Sequence, residues 1–335
     1  MEEFSYNRKY ELIVSKPIED ISVDPANPYR NTPLENESIV FKSTDNYQKI
    51  NRLQNVIIDS LHFTADIETS SKTSGSKGNT ATIKIFNLSN ESRSIVENVN
   101  NYVVLNAGYE SDGDSLPIVF SGQVQKAYSE RQGSDFVTIL VCKDGYTPSN
   151  SVRLSYRANR GKTYADVIRD FAEEWRKNGV AYTSDSLVLD EPTVIAPVVE
   201  ATAQNTVLER GYIFSGFLRK AMDEVTEMFN LVWYIENNTL YVHPKFYKKM
   251  IGEVVVNSGS IISIQSSQDN SKTTSSNSEK KGVRLKLFLD GRIKSYKRIK
   301  IEDTDKAGTY RISSVSHRLQ YEGSEWYTIV EAEGG

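Results

Sequence analysis

The chain has 335 residues, with 40 Lys and Arg against 44 Asp and Glu, three His and one Cys. The single thiol, Cys142, excludes an internal disulfide scaffold, and one Cys with three scattered His (His62, His243, His317) does not make a Cys/His zinc site. A net charge of −4 gives no overall pull toward nucleic acid or anionic lipid, and an apolar fraction of 38% is compatible with two or three soluble domains.

The chain opens Met-Glu-Glu-Phe-Ser-Tyr, acidic where a secretory signal is basic. The apolar runs at 56–58, 103–105 and 254–256 are too short to span a bilayer. The expectation is a soluble protein made in a reducing cytoplasm. The Asn-x-Ser/Thr triplets at Asn36, Asn87, Asn90 and Asn237 then read as coincidence in an Asn- and Ser-rich chain.

Most of the first 150 residues read as strands. Leu61, Phe63, Ala65 and Ile67 alternate with polar neighbours, as do Ala81, Ile83 and Ile85, then Val103, Leu105 and Ala107, then Ile118, Phe120, Gly122 and Val124. The run 136–142 is apolar at nearly every position, which suits a strand covered on both faces. The segment 70–79 has no apolar residue and reads as a mobile hairpin tip. A short helix fits after Ser89 as N-cap, with Ile95, Val96 and Val99 on its inner face. Many short strands with turns between them point to a closed or nearly closed barrel.

The texture changes after Pro148. Thr163-Tyr-Ala-Asp166 is a capping box with Asp in place of Glu, and Tyr164, Val167, Ile168, Phe171 and Trp175 follow on one helical face, ending near Gly179. A second amphipathic helix is expected over 216–230, with Phe217, Leu218, Ala221, Met222, Val225, Met228 and Phe229 as its stripe. A hairpin follows, turning at Asn237-Asn238. Strands resume at 253–256, 261–264, 283–289, 310–319 and 326–333, interrupted by a Ser-rich run at 266–281 that has almost nothing to bury and is expected to be disordered alone.

An internal repeat stands out. Gly133, Ser134, Thr138 and Ile139 recur as Gly323, Ser324, Thr328 and Ile329 at a constant offset of 190, with Asp135 matching Glu325, Phe136 matching Trp326 and Leu140 matching Val330. Gly145 matches Gly335, and Val124 matches Val315 with a one-residue slip. Each copy reads as a strand, a Gly-Ser turn and a strand opening on an aromatic. The expectation is a duplication that gives two related β-barrels.

Candidate chemistry is thin. Arg160-Gly161-Lys162-Thr163 ends like a phosphate-binding loop, but the required upstream glycine is Tyr156 and Thr163 already serves as a helix cap. Glu173 and Glu174 are adjacent on a helix and do not face each other, so they read as solvated surface. His62 points away from the core, His243 ends a strand before Pro244, and His317 lies on a strand between Ser316 and Arg318. No Gly-x-Ser-x-Gly is present, and Cys142 reads as a buried small hydrophobe. The segment 284–300 carries Arg284, Lys286, Arg292, Lys294, Lys297, Arg298 and Lys300 against one acid, Asp290. A hairpin with a three-residue turn after Leu289 would place Leu289 opposite Ile293 and Val283 opposite Ile299. The basic residues then face outward. Arg284, Lys286, Lys294, Lys297, Arg298 and Lys300 are therefore the candidate protein–protein interface.

The string Ile83-Lys-Ile-Phe86-Asn87-Leu88-Ser89, then Leu105-Asn-Ala-Gly108-Tyr109, Ile118-Val-Phe120-Ser-Gly122, Thr138-Ile139 and Asp144-Gly145, resembles baseplate hub proteins of contractile-tailed bacteriophages, a tail-tube-like family related to type VI secretion spike hubs. Gly308-Thr-Tyr310-Arg311-Ile312-Ser-Ser-Val315-Ser-His317 and Glu325-Trp326-Tyr327-Thr328 resemble the end of the same family. The likeness covers roughly 55–335; the N-terminal segment 15–50 and the run 266–281 depart from it. It implies a mainly β, α+β fold: a first tube-like barrel over 1–150, an α+β insert over 151–250 and a second barrel over 251–335. It also implies a structural role without catalysis or cofactor. Three copies would form a pseudo-sixfold ring adapting the hexameric tail tube to the trimeric spike. The implied partners are the tube, the spike and other baseplate proteins, with no membrane and no sequence-specific nucleic acid, although DNA would pass through the lumen. The implied location is the virion baseplate after assembly in the host bacterial cytoplasm. Two other readings stand beside it: a peptidoglycan hydrolase, which would need a carboxylate or metal constellation not found, and a receptor- or glycan-binding β module, prompted by 19 Tyr and the Ser-rich loops.

Overall fold

The structure is a computed structural model that describes residues 7–15, 38–43, 56–59, 61–70, 79–113, 115–190, 193–196, 199–244, 252–268, 281–295 and 297–334. The first stretch contains β1 (Arg8–Ser15), β2 (Ser38–Lys42), β3 (Val56–Asp59), β4 (Phe63–Ser70), β5 (Thr80–Phe86), α1 (Asn90–Val96), β6 (Tyr102–Tyr109), β7 (Ile118–Gln132) and β8 (Asp135–Lys143). The middle contains α2 (Tyr146–Ser151), β9 (Arg153–Ala158), α3 (Tyr164–Lys177), β10 (Thr193–Ala196), β11 (Val199–Ala201), β12 (Tyr212–Phe217), α4 (Leu218–Met228), β13 (Leu231–Glu236) and β14 (Thr239–Pro244). The last stretch contains β15 (Glu253–Val256), β16 (Ile261–Gln268), β17 (Lys281–Phe288), β18 (Arg298–Ile301), β19 (Gly308–Gln320) and β20 (Trp326–Gly334).

The chain is mainly β with a helical insert, as its periodicities predict. The strands outside the insert join one sheet in the order β16-β17-β20-β19-β4-β5-β8-β7-β6-β1-β2-β3, with β15 and β18 attached along β19. The described pairings follow an open path and do not return on themselves.

Within this path the duplication is visible strand by strand. One unit runs β4-β5-β8-β7-β6-β1 and the other β16-β17-β20-β19-β18-β15, with the strands in the same chain order in both. Ser129 faces Thr138 where His317 faces Thr328, and Arg131 faces Phe136 where Leu319 faces Trp326. Both hairpins carry a bulge at the same level, between Val124 and Lys126 opposite Val141 and Cys142, and between Ile312 and Ser314 opposite Glu331 and Ala332. A conserved bulge position is a built feature of a hairpin. The register corrects one sequence match: Val124 corresponds to Ile312, and Val315 to Ala127, because the second turn is two residues longer. Gly335, matched to Gly145 in the sequence, lies outside the described residues.

The register also reveals repeat segments hidden in the sequence. Ala81, Ile83, Lys84, Ile85 and Phe86 on β5 pair with β8 where Val283, Leu285, Lys286, Leu287 and Phe288 on β17 pair with β20. Tyr102 to Leu105 on β6 correspond likewise to Arg298 to Ile301 on β18. The segments 70–79 and 266–281 join corresponding strand pairs; their low-complexity centres lie outside the described residues. The units differ at one strand: β1 is antiparallel to β6, whereas β15 is parallel to β18.

The expected hairpin over 283–299 does not form. β17 pairs with β16 and β20, while β18 pairs with β15 and β19. Segment 289–297 is therefore a connection between non-adjacent strands, and it buries Leu289 and Ile293 in separate cores.

The insert follows its caps. Thr163 Oγ1 accepts from Asp166 N at 3.1 Å, and the Asp166 carboxylate accepts from Thr163 N at 3.3 Å, closing the box that starts α3. Val167, Ile168, Phe171 and Trp175 are fully buried, and Trp175 packs on Trp233 with ring centroids 5.6 Å apart. α4 starts at Leu218 with Phe217 as its cap residue, and Met228, expected on the stripe, is exposed at its last turn. Val99 is likewise exposed, because α1 ends at Val96. Asn237 and Asn238 both have positive φ, as a two-residue hairpin turn requires.

Three large apolar cores result. One is built from β1, β2 and β4–β8 and also takes Leu289, Leu319 and Trp326 from the last stretch; a second lies wholly within 152–242; the third lies within 256–332. No described helix is long and apolar enough to cross a membrane.

Candidate assembly surface

Two copies of one sheet unit meet edge to edge inside this chain. β19 is long enough to take two partners on the same side. Its residues Gly308 to Arg311 pair with β18, and Ser314 to Gln320 pair antiparallel with β4. In that seam Ser314 faces Ser70, His317 faces Ile67, Arg318 faces Asp66 and Gln320 faces Thr64. On the outer face Arg318 bridges Asp66 at 2.8 Å and Glu68 at 3.2 Å. On the inner face Ile67, His317 and Leu319 are buried. The seam thus combines main-chain hydrogen bonds, an apolar side and a charged side.

The β19–β20 hairpin tip extends past the seam into the first core. The Trp326 indole donates to the Gly108 carbonyl at 3.2 Å. Tyr109 Oη donates to the Trp326 carbonyl at 3.2 Å and accepts from Leu289 N at 3.1 Å. Arg8 donates to the Gln320 carbonyl at 2.7 Å and lies over the Trp326 ring at 5.5 Å. Burying Leu319 and Trp326 removes apolar surface worth about 2–3 kcal/mol each before packing is counted.

The equivalent edges elsewhere carry no strand among the described residues. β7 pairs with β6 only up to Gln123, so Lys126 to Gln132 has β8 on one side and no strand on the other among the described residues. β16, the counterpart of β4, pairs with β17 alone among the described residues.

The basic residues singled out in the sequence do not form one outward face. Lys294 is the clear correction: it is buried, and its Nζ donates to the Ile118 carbonyl at 2.8 Å and the Val119 carbonyl at 3.3 Å. Segment 289–297 turns inward instead of forming a hairpin, which carries Lys294 under the start of β7. Burial lowers its pKa to about 8, against the pull of Glu236 nearby. Arg284 is exposed on β17, and Lys286 lies over the Tyr327 ring at 3.8 Å. Lys297 donates to the Arg292 carbonyl at 3.3 Å, Arg298 is half-buried on β18, and Lys300 bridges Glu302 at 2.7 Å.

The other candidate groups serve the fold. His317 is fully buried, and its Nδ1 lies 3.0 Å from Thr328 Oγ1. Ser129 and Thr138 make the equivalent contact at 2.8 Å. Burial lowers the His317 pKa to about 3 and that of His243 to about 4. His62 is half-buried and packs against Phe86 in a tilted ring contact. Cys142 is buried, which pushes its thiol pKa up. Lys162 pairs with Asp170, Glu173 with Arg176 and Glu174 with Lys177, so the loop and the helix acids are held in ion pairs.

Sequence reading missed the junction at Asp144. This buried carboxylate accepts from Asn238 N at 3.2 Å, tying the insert's hairpin turn to the end of β8. Burial raises its pKa to about 7, partly offset by the Asn237 and Asn238 backbone donors. Gly145, next along, has φ of +59°, and a Cβ there would lie 2.5 Å from Ile235 Cδ1, so the close approach of insert and sheet requires glycine.

No protein-family model matches the chain, and no curated protein matches its sequence. Solved structures do match. The tail protein from Neisseria meningitidis MC58 aligns with a TM-score of 0.52 at 9% identity, over 82% of this chain and 96% of that one. The 43 kDa tail protein of prophage MuSo2 from Shewanella oneidensis aligns at 0.51 and 8% identity, over 82% and 97%. The Francisella PdpA-VgrG complex aligns at 0.51 and 8% identity, over 98% of this chain and 58% of that one. The chain shares the fold of these two tail proteins and of the VgrG complex, in keeping with the resemblance carried by its motifs.

Proposed function

We propose that the chain is a structural baseplate hub of a contractile phage-type tail. Three copies form a ring of six sheet units that adapts a hexameric tube to a trimeric spike. The observation that carries this reading is the six-stranded duplication with its internal β4–β19 seam. A chain built from two equivalent units, joined head to tail, keeps one unused edge of each kind. Such heterologous contacts close into rings or run on as filaments. Three such chains supply six equivalent positions while keeping threefold symmetry, which suits a junction between sixfold and threefold structures.

The two sheet units correspond in this reading to domains over 1–150 and 251–335, with the 151–250 segment as a separate insert. The role is mechanical, so no catalytic group or cofactor is assigned. The partners are the tail tube, the spike and other baseplate proteins. DNA travels through the lumen without being read, and the location is the virion tail after assembly in the host cytoplasm. Fold likeness to tail proteins supports the tail assignment.

Native mass measurement tests the copy number. Three copies of the 37.8 kDa chain are expected. A strict monomer at high concentration, with no ring at this position in tail density, would overturn the proposal.

A further inference from the structure

We infer that the open edge of β16 in one copy pairs antiparallel with residues 126–132 of β7 in the next copy, in the register that β4 and β19 use inside one chain. The copy number rests on the hub reading; the register rests on the internal seam alone. Each half of this contact has a structural equivalent already seen paired. Ala65 and Ile264 both face the matched positions Ile83 and Leu285 on the neighbouring strand, which aligns β4 with β16. The shared bulge and hairpin aligns β19 with β7. Carrying the seam across this alignment sets Ser266 opposite Ser129, Gln265 opposite Glu130 and Ile264 opposite Arg131.

The composition of the two edges fits an occupied strand pairing. β16 reads Ile-Ile-Ser-Ile-Gln-Ser-Ser-Gln, with no charge, no proline and no glycine. A solvent-facing edge strand usually carries charge or proline to prevent pairing; β16 has neither, and its bulge at Ile262 precedes residues 264–266 of the contact. Ile262 is 46% exposed and Tyr128 37% exposed, and they lie on these two strands. The charges of the contact, Glu130 and Arg131 among them, all sit on β7, so no like charges meet across the pairing. Glu130 takes the place of Arg318, and Gln265 that of Asp66, so an amide donor faces a carboxylate where the internal seam has its 2.8 Å ion pair. The occupant is a second copy, because the two edges stand at opposite ends of the β16-to-β7 path with six strands between them and do not pair with each other among the described residues.

The test uses the full chain, whose only native thiol is buried. Gln265→Cys and Glu130→Cys, made in separate chains and mixed under mild oxidation, should give a disulfide-linked dimer. The double variant should give covalent species up to three chains. Gln265→Cys with Lys126→Cys, out of register, should link several-fold less. Independently, Gln265→Glu sets two carboxylates face to face and should weaken association about fivefold per contact, with Glu130→Arg restoring it. If the chain assembles but Gln265→Glu has no effect and both cysteine pairs link equally, the register is wrong while the hub reading stands. If the unsubstituted chain stays monomeric under all conditions, both fall.

Discussion

The two sheet units share six strands in the same order, yet they are finished differently. The first has a large core, two additional strands, β2 and β3, beside β1, and a neighbour seated on β4. The second has a core of eleven buried residues, and no described strand lies on the outer edge of its β16. The hairpin tips diverge in the same way. Trp326 is buried and hydrogen-bonded into the other unit, whereas its counterpart Phe136 is half-buried on its own unit beneath Arg93, whose guanidinium lies 4.0 Å from the ring centroid. The two units carry equivalent edges, and among the described residues only one pair of them, β4 with β19, is joined. The proposed contact between copies uses the other pair.

Substitution at the hairpin tips sharpens this contrast most. Trp326→Ala should cost about 3–5 kcal/mol in chemical denaturation, and Phe136→Ala about 1–2. Equal losses would mean that the internal seam anchors nothing.

The Asp144 junction offers a pH test. Its folded-state pKa, about 7, lies above the unfolded value, so its contribution is intact below about pH 4 and is lost as pH rises through 7. Asp144→Asn keeps an acceptor for Asn238 N, so wild type should lose about 4 kcal/mol relative to it between pH 4 and 8, read from Tm against pH. Lys294, lowered to about 8, runs the other way: its penalty is largest below pH 8 and fades as pH rises through that value.

His317 marks the seam itself. Its folded pKa, about 3, lies below the unfolded value, so its contribution is present above pH 6.5 and is lost as pH falls from there toward 3. Between pH 6.5 and 5 the loss should be about 2 kcal/mol, and His317→Gln should flatten that part of the curve. His243 titrates in the same direction within the insert, so some acid sensitivity should persist in the variant.

The smallest effect belongs to Arg318. Its side chain is 29% exposed and its partners more so, so Arg318→Ala should cost less than about 1 kcal/mol and the difference should shrink in salt. A larger loss would shift the weight of the seam from its apolar face to its charged one.

Much of the fold was legible in the sequence because the physics was local. Alternation marked β4, β5, β6 and β17; Thr163 and Asp166 marked the start of α3; paired asparagines marked the β13–β14 turn. The Gly-Ser turns revealed one hairpin of the repeat. The rest depended on which strands become neighbours, which no local pattern encodes. Residues 283–299 looked like a hairpin because both halves alternate, but each half found its partner elsewhere. Lys294 looked like surface because lysine usually is, and two backbone carbonyls of β7 hold it inside. The proposed contact between copies had only one sequence signal, the uncharged run in β16, which read as an ordinary strand followed by a Ser-rich loop.

Amide hydrogen exchange tests the central claim most directly. In the dissociated chain, the β4 amides should be protected and those of the equivalent strand β16 should exchange freely on its open side. In the assembled ring, β16 and residues 126–132 of β7 should gain protection together. Assembly that leaves both edges exchanging as fast as before, or a β4 that exchanges as readily as β16 in the dissociated chain, would contradict the account.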